Sequence, residues 1–96
     1  MLDAITECVF RAIDRVNELL PPGEQVSKSA SSILAGPAGA LDSMGLINLL
    51  LEVESQIASA LHRQISVVDL ATANLATDAS LDVERLVQLI DAALKP

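Results

Sequence analysis

Aromatic residues are almost missing from this chain: it has no Trp and no Tyr, and Phe10 is the one Phe. Any interior must therefore be aliphatic, and the surplus of Leu, Ala, Ile and Val favours helices. Absorbance at 280 nm should be close to nil. Cys8 is the single cysteine, which excludes an internal disulfide. Its position on the apolar face of the first predicted helix makes it a buried thiol, compatible with a reducing cytosol. Basic residues are scarce, with 6 Lys and Arg against 13 Asp and Glu and a net charge of -7. That balance excludes a nucleic-acid binder, which needs clustered Lys and Arg, and disfavours an anionic membrane surface; it points to basic protein partners. No apolar run is long enough to span a bilayer, and Met1-Leu2-Asp3 carries an acid where a signal peptide would carry a basic segment. The expectation is a cytoplasmic monomer without membrane insertion.

The usual catalytic apparatus is missing as well. One Cys and one His, far apart in sequence, make a poor nucleophile pair, and no Cys and His cluster exists for zinc. No glycine-rich dinucleotide or phosphate-loop motif occurs, and the acids are scattered as on a solvated helix surface. The expectation is that the chain is not an enzyme.

What is present is helical periodicity. With 96 residues the chain forms a single domain, 1–96, burying roughly 60 to 70% of the surface that its unfolded form exposes. Leu2, Ile5, Val9, Ala12, Ile13, Val16, Leu19 and Leu20 recur at steps of three and four, predicting a helix over about 3–20 that Pro21-Pro22-Gly23 ends. Glu7 and Arg11 stand at the i, i+4 spacing of an ion pair. From 22 to 41 the chain is rich in Ser, Ala, Gly and Pro and longer than the ~12 to 15 residues usual for a structureless connection. A loop anchored by Val26, Ile33 and Leu34, with Ser27 to Ser32 in water, is preferred over a partly disordered linker. Gly36-Pro37-Ala38-Gly39-Ala40 cannot be helical.

A second helix is predicted over 43–61. Leu46, Leu49, Leu50, Val53, Ile57 and Ala60 form its core stripe, and Met44, Ile47, Leu51 and Ala58 form a second apolar stripe. That second stripe is either covered by the 22–41 loop or kept for a partner. His62 and Arg63 complement the helix C-terminus. A short helix follows over 67–74. After a turn at Thr77-Asp78-Ala79-Ser80, a last helix capped by Ser80 or Asp78 carries Leu81, Val83, Leu86, Val87, Leu89, Ile90, Ala93 and Leu94. The fold class is all-α, a small antiparallel four-helix bundle of three longer helices and one short, with a long loop between helices 1 and 2.

The change from loop to second helix falls on Asp42-Ser43, two residue types whose side-chain oxygens cap first-turn amides. A hydroxyl there is held by the scaffold yet points into solvent, and the positive helix end suits a phosphate ester. Gly45 in the first turn is either a tolerated frayed end or an opening for an enzyme to reach Ser43.

Leu41-Asp42-Ser43-Met44-Gly45, followed by the helix from Leu46 to Ile57, resembles the Asp-Ser-Leu signature and second helix of acyl carrier proteins, with Met44 where leucine is usual. The resemblance extends over most of the chain. It implies a 4'-phosphopantetheine arm on Ser43, donated by coenzyme A, whose thiol holds an acyl group as a thioester. It also implies a docking face for processing enzymes at Asp42, Met44, Ile47, Leu51 and Glu54. The partners implied are a phosphopantetheinyl transferase, a loading enzyme that transfers an acyl or aminoacyl group, and a downstream synthase or acyltransferase. Few acids lie along this helix compared with many carriers, which points to a carrier dedicated to one pathway of fatty-acid or polyketide type. An aminoacyl or peptidyl carrier, D-alanyl carriers included, is the neighbouring alternative. In a different class stands an unmodified helical docking module.

Overall fold

The computed structural model describes residues 2–36, 39, 41–78 and 80–95. The expectations stated for Met1, Pro37, Ala38, Ala40 and Ala79 lie outside the described residues. In chain order the elements are α1 (Leu2–Asn17), a 3-10 turn (Pro22–Glu24), β1 (Ile33–Ala35), α2 (Ser43–Leu61), α3 (Val67–Thr77), β2 (Leu81–Asp82) and α4 (Val83–Leu94). The described residues are thus mostly helical, with four α-helices and a two-stranded sheet that the all-α expectation did not include. α1 packs on α2 and α4, while α3 bridges α2 and α4. The radius of gyration, 12.2 Å, is that of a close-packed globule of this length.

The core is aliphatic apart from the Cys8 thiol. Ile5, Ile13, Leu49, Ile57, Leu86 and Ile90 are completely enclosed, each contributing on the order of 1.5–3 kcal/mol through burial. The apolar spacing of α1 is realised in Ile5, Cys8, Val9, Ala12, Ile13 and Val16. Leu2 and Leu19, assigned to the same stripe from spacing, are instead exposed. Leu19 misses the core because α1 stops at Asn17 and the next residues tighten into i→i+3 bonds, Leu19 N to Val16 O and Leu20 N to Asn17 O. That turn breaks the 3.6-residue register on which the assignment rested.

Asn17 explains the stop. Its side-chain nitrogen donates to the Val26 carbonyl at 2.9 Å, and its side-chain oxygen accepts from the Val26 amide at 2.8 Å. One amide group thus acts as a strand partner for a single buried residue. Gln25 Nε2 donates to the carbonyls of Asn17 and Leu20, supplying partners that the end of a helix lacks.

The long loop is anchored, and two of its three expected anchors are in the core: Val26 and Leu34 are buried, while Ile33 stays exposed and Ala35 takes an anchoring place instead. β1 pairs antiparallel with β2, Ile33 with Asp82 and Ala35 with Leu81. Two steps on β1 answer one on β2, a bulge through which consecutive Leu34 and Ala35 are both buried. The loop also completes α4. Its Ser32 and Ala30 carbonyls accept from the Val83 and Glu84 amides at 3.0 and 2.9 Å, and Asp82 Oδ1 accepts from Arg85 N at 2.7 Å. The α4 cap is therefore Asp82, not Ser80 or Asp78, and Leu81 lies in β2 instead of on the helix stripe.

α2 has the expected limits, and Leu49, Leu50, Val53 and Ile57 of its core stripe are buried. Leu46 is half-buried and Ala60 is exposed, since the stripe drifts off the contact line toward the helix ends. At 19 residues and a mean hydropathy of 1.2, α2 also meets the length and composition of a membrane span, against the expectation that no run was long enough. Here its core stripe packs inside the fold. α3 runs three residues beyond the expected 67–74, to Thr77. Buried Asn74 sustains the extra turn: its backbone carbonyl accepts from Thr77 Oγ1 and Asp78 N, and its side-chain oxygen accepts from Arg85 Nε at 3.0 Å.

Asn17→Ala should remove both partners of the buried Val26 peptide groups and lower stability by about 1–3 kcal/mol. Urea unfolding followed by circular dichroism at 222 nm checks this, as the chain offers no tryptophan signal. Burial pushes the Cys8 thiol above its ordinary value of 9.0, with Arg11 opposing and Glu7 assisting more weakly. The unfolded thiol therefore ionises before the native one, and stability should fall as pH rises past about 9. Alkylation of Cys8 should be slow in the native protein and fast in denaturant, which intact mass resolves.

Candidate functional site at the start of helix 2

Asp42 is extended (φ -77°, ψ -179°), and its Oδ1 accepts from the Gly45 amide at 2.7 Å. Its own carbonyl accepts the first intrahelical bond, from Leu46 N at 2.9 Å. Both features make it the N-cap of α2, and Ser43 is then the first helical residue. Ser43 is exposed. Among the described residues its Oγ makes no hydrogen bond to a protein partner, so the hydroxyl stands in water over the first turn.

Gly45 has a local reason that neither sequence reading foresaw. A Cβ there would lie 3.2 Å from Asp42 Oδ1 and 3.2 Å from Leu41 Cδ2, pressing on the capping carboxylate and on the residue that seats the loop against the core. The glycine lets the cap close. Nearby, a Cβ on Gly39 would come within 2.9 Å of the Ala35 backbone, so the loop passes β1 too closely for any side chain at that position.

Down the outer face of α2, Met44 is 70%, Ile47 45% and Leu51 51% exposed. The second apolar stripe is uncovered: of the loop residues that could have screened it, Val26 and Leu34 lie in the core, and Ile33 is itself exposed. Ala58 is half-buried. Glu54, assigned to the same face from the resemblance, has a partner inside the fold: its Oε1 accepts from the Val68 amide at 3.1 Å, a first-turn amide of α3. Glu52 lies 3.4 Å from Arg15 Nε and accepts from Gln56.

One further exposed apolar residue escaped the sequence reading. Leu19 is 80% exposed and lines a cleft with Arg15, Asn48 and Glu52, between the end of α1 and the outer face of α2. No periodicity marks it, because its exposure follows from the tightened turn after Asn17.

The remaining candidates stand apart from Ser43. His62 is the C-cap of α2 in the left-handed conformation (φ 55°, ψ 36°), roughly 28 Å along the helix from Ser43 at 1.5 Å per residue. It terminates the helix, as expected of its position. Cys8 is buried in α1. Among the described residues no group of three or more His, Cys, Asp or Glu is arranged to hold a metal ion.

Compared with protein-family models, with curated proteins and with solved structures, the chain has no match in any of the three.

Asp42→Ala should cost about 0.5–2 kcal/mol by removing the cap, and Asp42→Asn, which keeps an acceptor oxygen, should recover most of it. Paired urea titrations of the two variants measure the difference.

Proposed function

We propose that the protein is a carrier: a small antiparallel helical bundle that presents Ser43 for modification by 4'-phosphopantetheine and shuttles an acyl or aminoacyl group between enzymes. The observation that carries this reading is the pairing of an exposed, unbonded hydroxyl on the first turn of α2 with an uncovered apolar stripe starting at the next residue. Ser43 and Met44 contribute first-turn amides beside that hydroxyl, while the Gly45 amide is taken by Asp42. Such amides, together with the positive end of the helix, suit a phosphodiester.

The residues fit the group in two respects. The serine oxygen is reachable by another protein, and the nearest carboxylate, Asp42, has one oxygen bound to the Gly45 amide, which reduces its repulsion of an arriving phosphate. When bound, the group supplies a terminal thiol that carries the cargo as a thioester. This chain's own residues perform no turnover. Asp42 and Gly45 hold the start of the helix, Ser43 offers the oxygen, and Met44, Ile47 and Leu51 offer the surface on which partners sit. Tethering the cargo raises its effective concentration at each docked enzyme. The partners are a coenzyme A-dependent phosphopantetheinyl transferase, a loading enzyme and a synthase or acyltransferase that unloads.

Incubation with coenzyme A and a broad-specificity phosphopantetheinyl transferase should add one phosphopantetheine to the intact mass, and Ser43→Ala should abolish the addition. Leu51→Glu should leave the helical signal unchanged, because Leu51 is half in water already, and should slow the addition. A folded protein that never gains the mass would instead be an unmodified module that docks through the Met44, Ile47 and Leu51 stripe.

A further inference from the structure

A net charge of -7 suggests a protein that meets its partners through its acids. The distribution of those acids in three dimensions says otherwise for α2. Its 19 residues include two charged ones, Glu52 and Glu54, and both are engaged within the fold. The Glu52 side chain is only 25% exposed and lies beside Arg15 at 3.4 Å. Glu54 accepts from the first turn of α3. None of the α2 residues that are exposed carries a charge. The exposed acids fall outside that span, on α1 (Asp3, Glu7 and Asp14), α3 (Asp69), α4 (Glu84) and the segments between helices, with Asp42 the one at the head of α2. On α1, Glu7 and Asp14 are further offset by Arg11 and Lys28.

We infer that the enzyme acting on Ser43 engages α2 through an apolar surface without a Lys or Arg cluster, the contact being made by Met44, Ile47 and Leu51. The inference rests on the carrier reading and names the chemistry of its partner. Three side chains at i, i+3 and i+7 lie along one face over about 10.5 Å, a length that an apolar groove on a partner can cover. Beyond Asp42, one of whose oxygens is held by the Gly45 amide, a basic partner surface would find no exposed carboxylate along α2 to offset the cost of desolvating its own cations. Asn48 and Ser55, exposed beside the stripe, add neutral hydrogen-bonding groups and no charge. Association by such a face depends on buried apolar area, which moderate salt leaves nearly unchanged, whereas charge pairing is screened over a Debye length of ~10 Å at 0.1 M.

The test uses the same transferase and coenzyme A, with the protein as varied substrate and mass addition as readout. Met44→Gln and Leu51→Gln change no charge; each should raise KM roughly tenfold with kcat held, the loss that removing one buried apolar side chain gives. Glu52→Gln and Glu54→Gln keep an acceptor oxygen; these variants, and an increase from about 50 to about 500 mM NaCl, should move KM less than about twofold. Circular dichroism of each variant confirms that it is folded. If the Gln replacements of Glu52 and Glu54, or salt, raise KM as much as the Met44 and Leu51 replacements do, docking is electrostatic and the inference is overturned while the carrier reading stands. If the unaltered protein gains no mass at any salt, the carrier reading falls and this inference falls with it.

Discussion

The bond from the Gly45 amide to the Asp42 carboxylate marks where α2 begins and leaves Ser43 on the open first turn. Packing of that helix on α1 and α3 buries Leu49, Leu50, Val53 and Ile57 and leaves Met44, Ile47 and Leu51 outward. Gly45 belongs to the same device, since a methyl group in its place would crowd the carboxylate that makes the bond. The end of the helix is fixed just as locally, by His62 in the left-handed conformation, a state that non-glycine residues enter at some cost.

The segment between α1 and α2 is a structural member as much as a connection. Val26 enters the core on a pair of hydrogen bonds from Asn17, and Leu34 and Ala35 enter it through a bulged strand. The carbonyls of Ala30 and Ser32 receive the first amides of α4. A protein with one Phe and no larger aromatic must gather its apolar area from many small side chains, and this loop adds some of them. Val26 and Leu34, placed in the core, do not screen the outer face of α2.

Few of the acids that give the net charge of -7 lie on α2, and its two are drawn into contacts with α1 and α3. Glu54 shows how one side chain can serve the fold where family resemblance would give it to a partner. Its carboxylate supplies a first-turn acceptor to α3 much as Asp42 and Asp82 do for α2 and α4, but from a neighbouring helix. Ser66 caps the same α3 turn from its own chain end, so α3 starts on two acceptors.

Sequence by itself determined the helices, the limits of α2, the buried thiol at Cys8 and the aliphatic character of the core, because apolar spacing and capping residues act over a few neighbouring positions. The Asp42-Ser43 start of α2 was legible for the same reason: an N-cap is a contact between residues three apart. Tertiary structure alone decided the sheet between Ile33–Ala35 and Leu81–Asp82, the early end of α1 and the exposure of Leu19. Each depends on a partner far along the chain, Val26 for Asn17 and Ser32 for Val83. It also decided that Met44, Ile47 and Leu51 face water and that Glu54 turns to α3. A helix wheel counts stripes, but which stripe is covered depends on where the neighbouring helices, α1 and α3, pack.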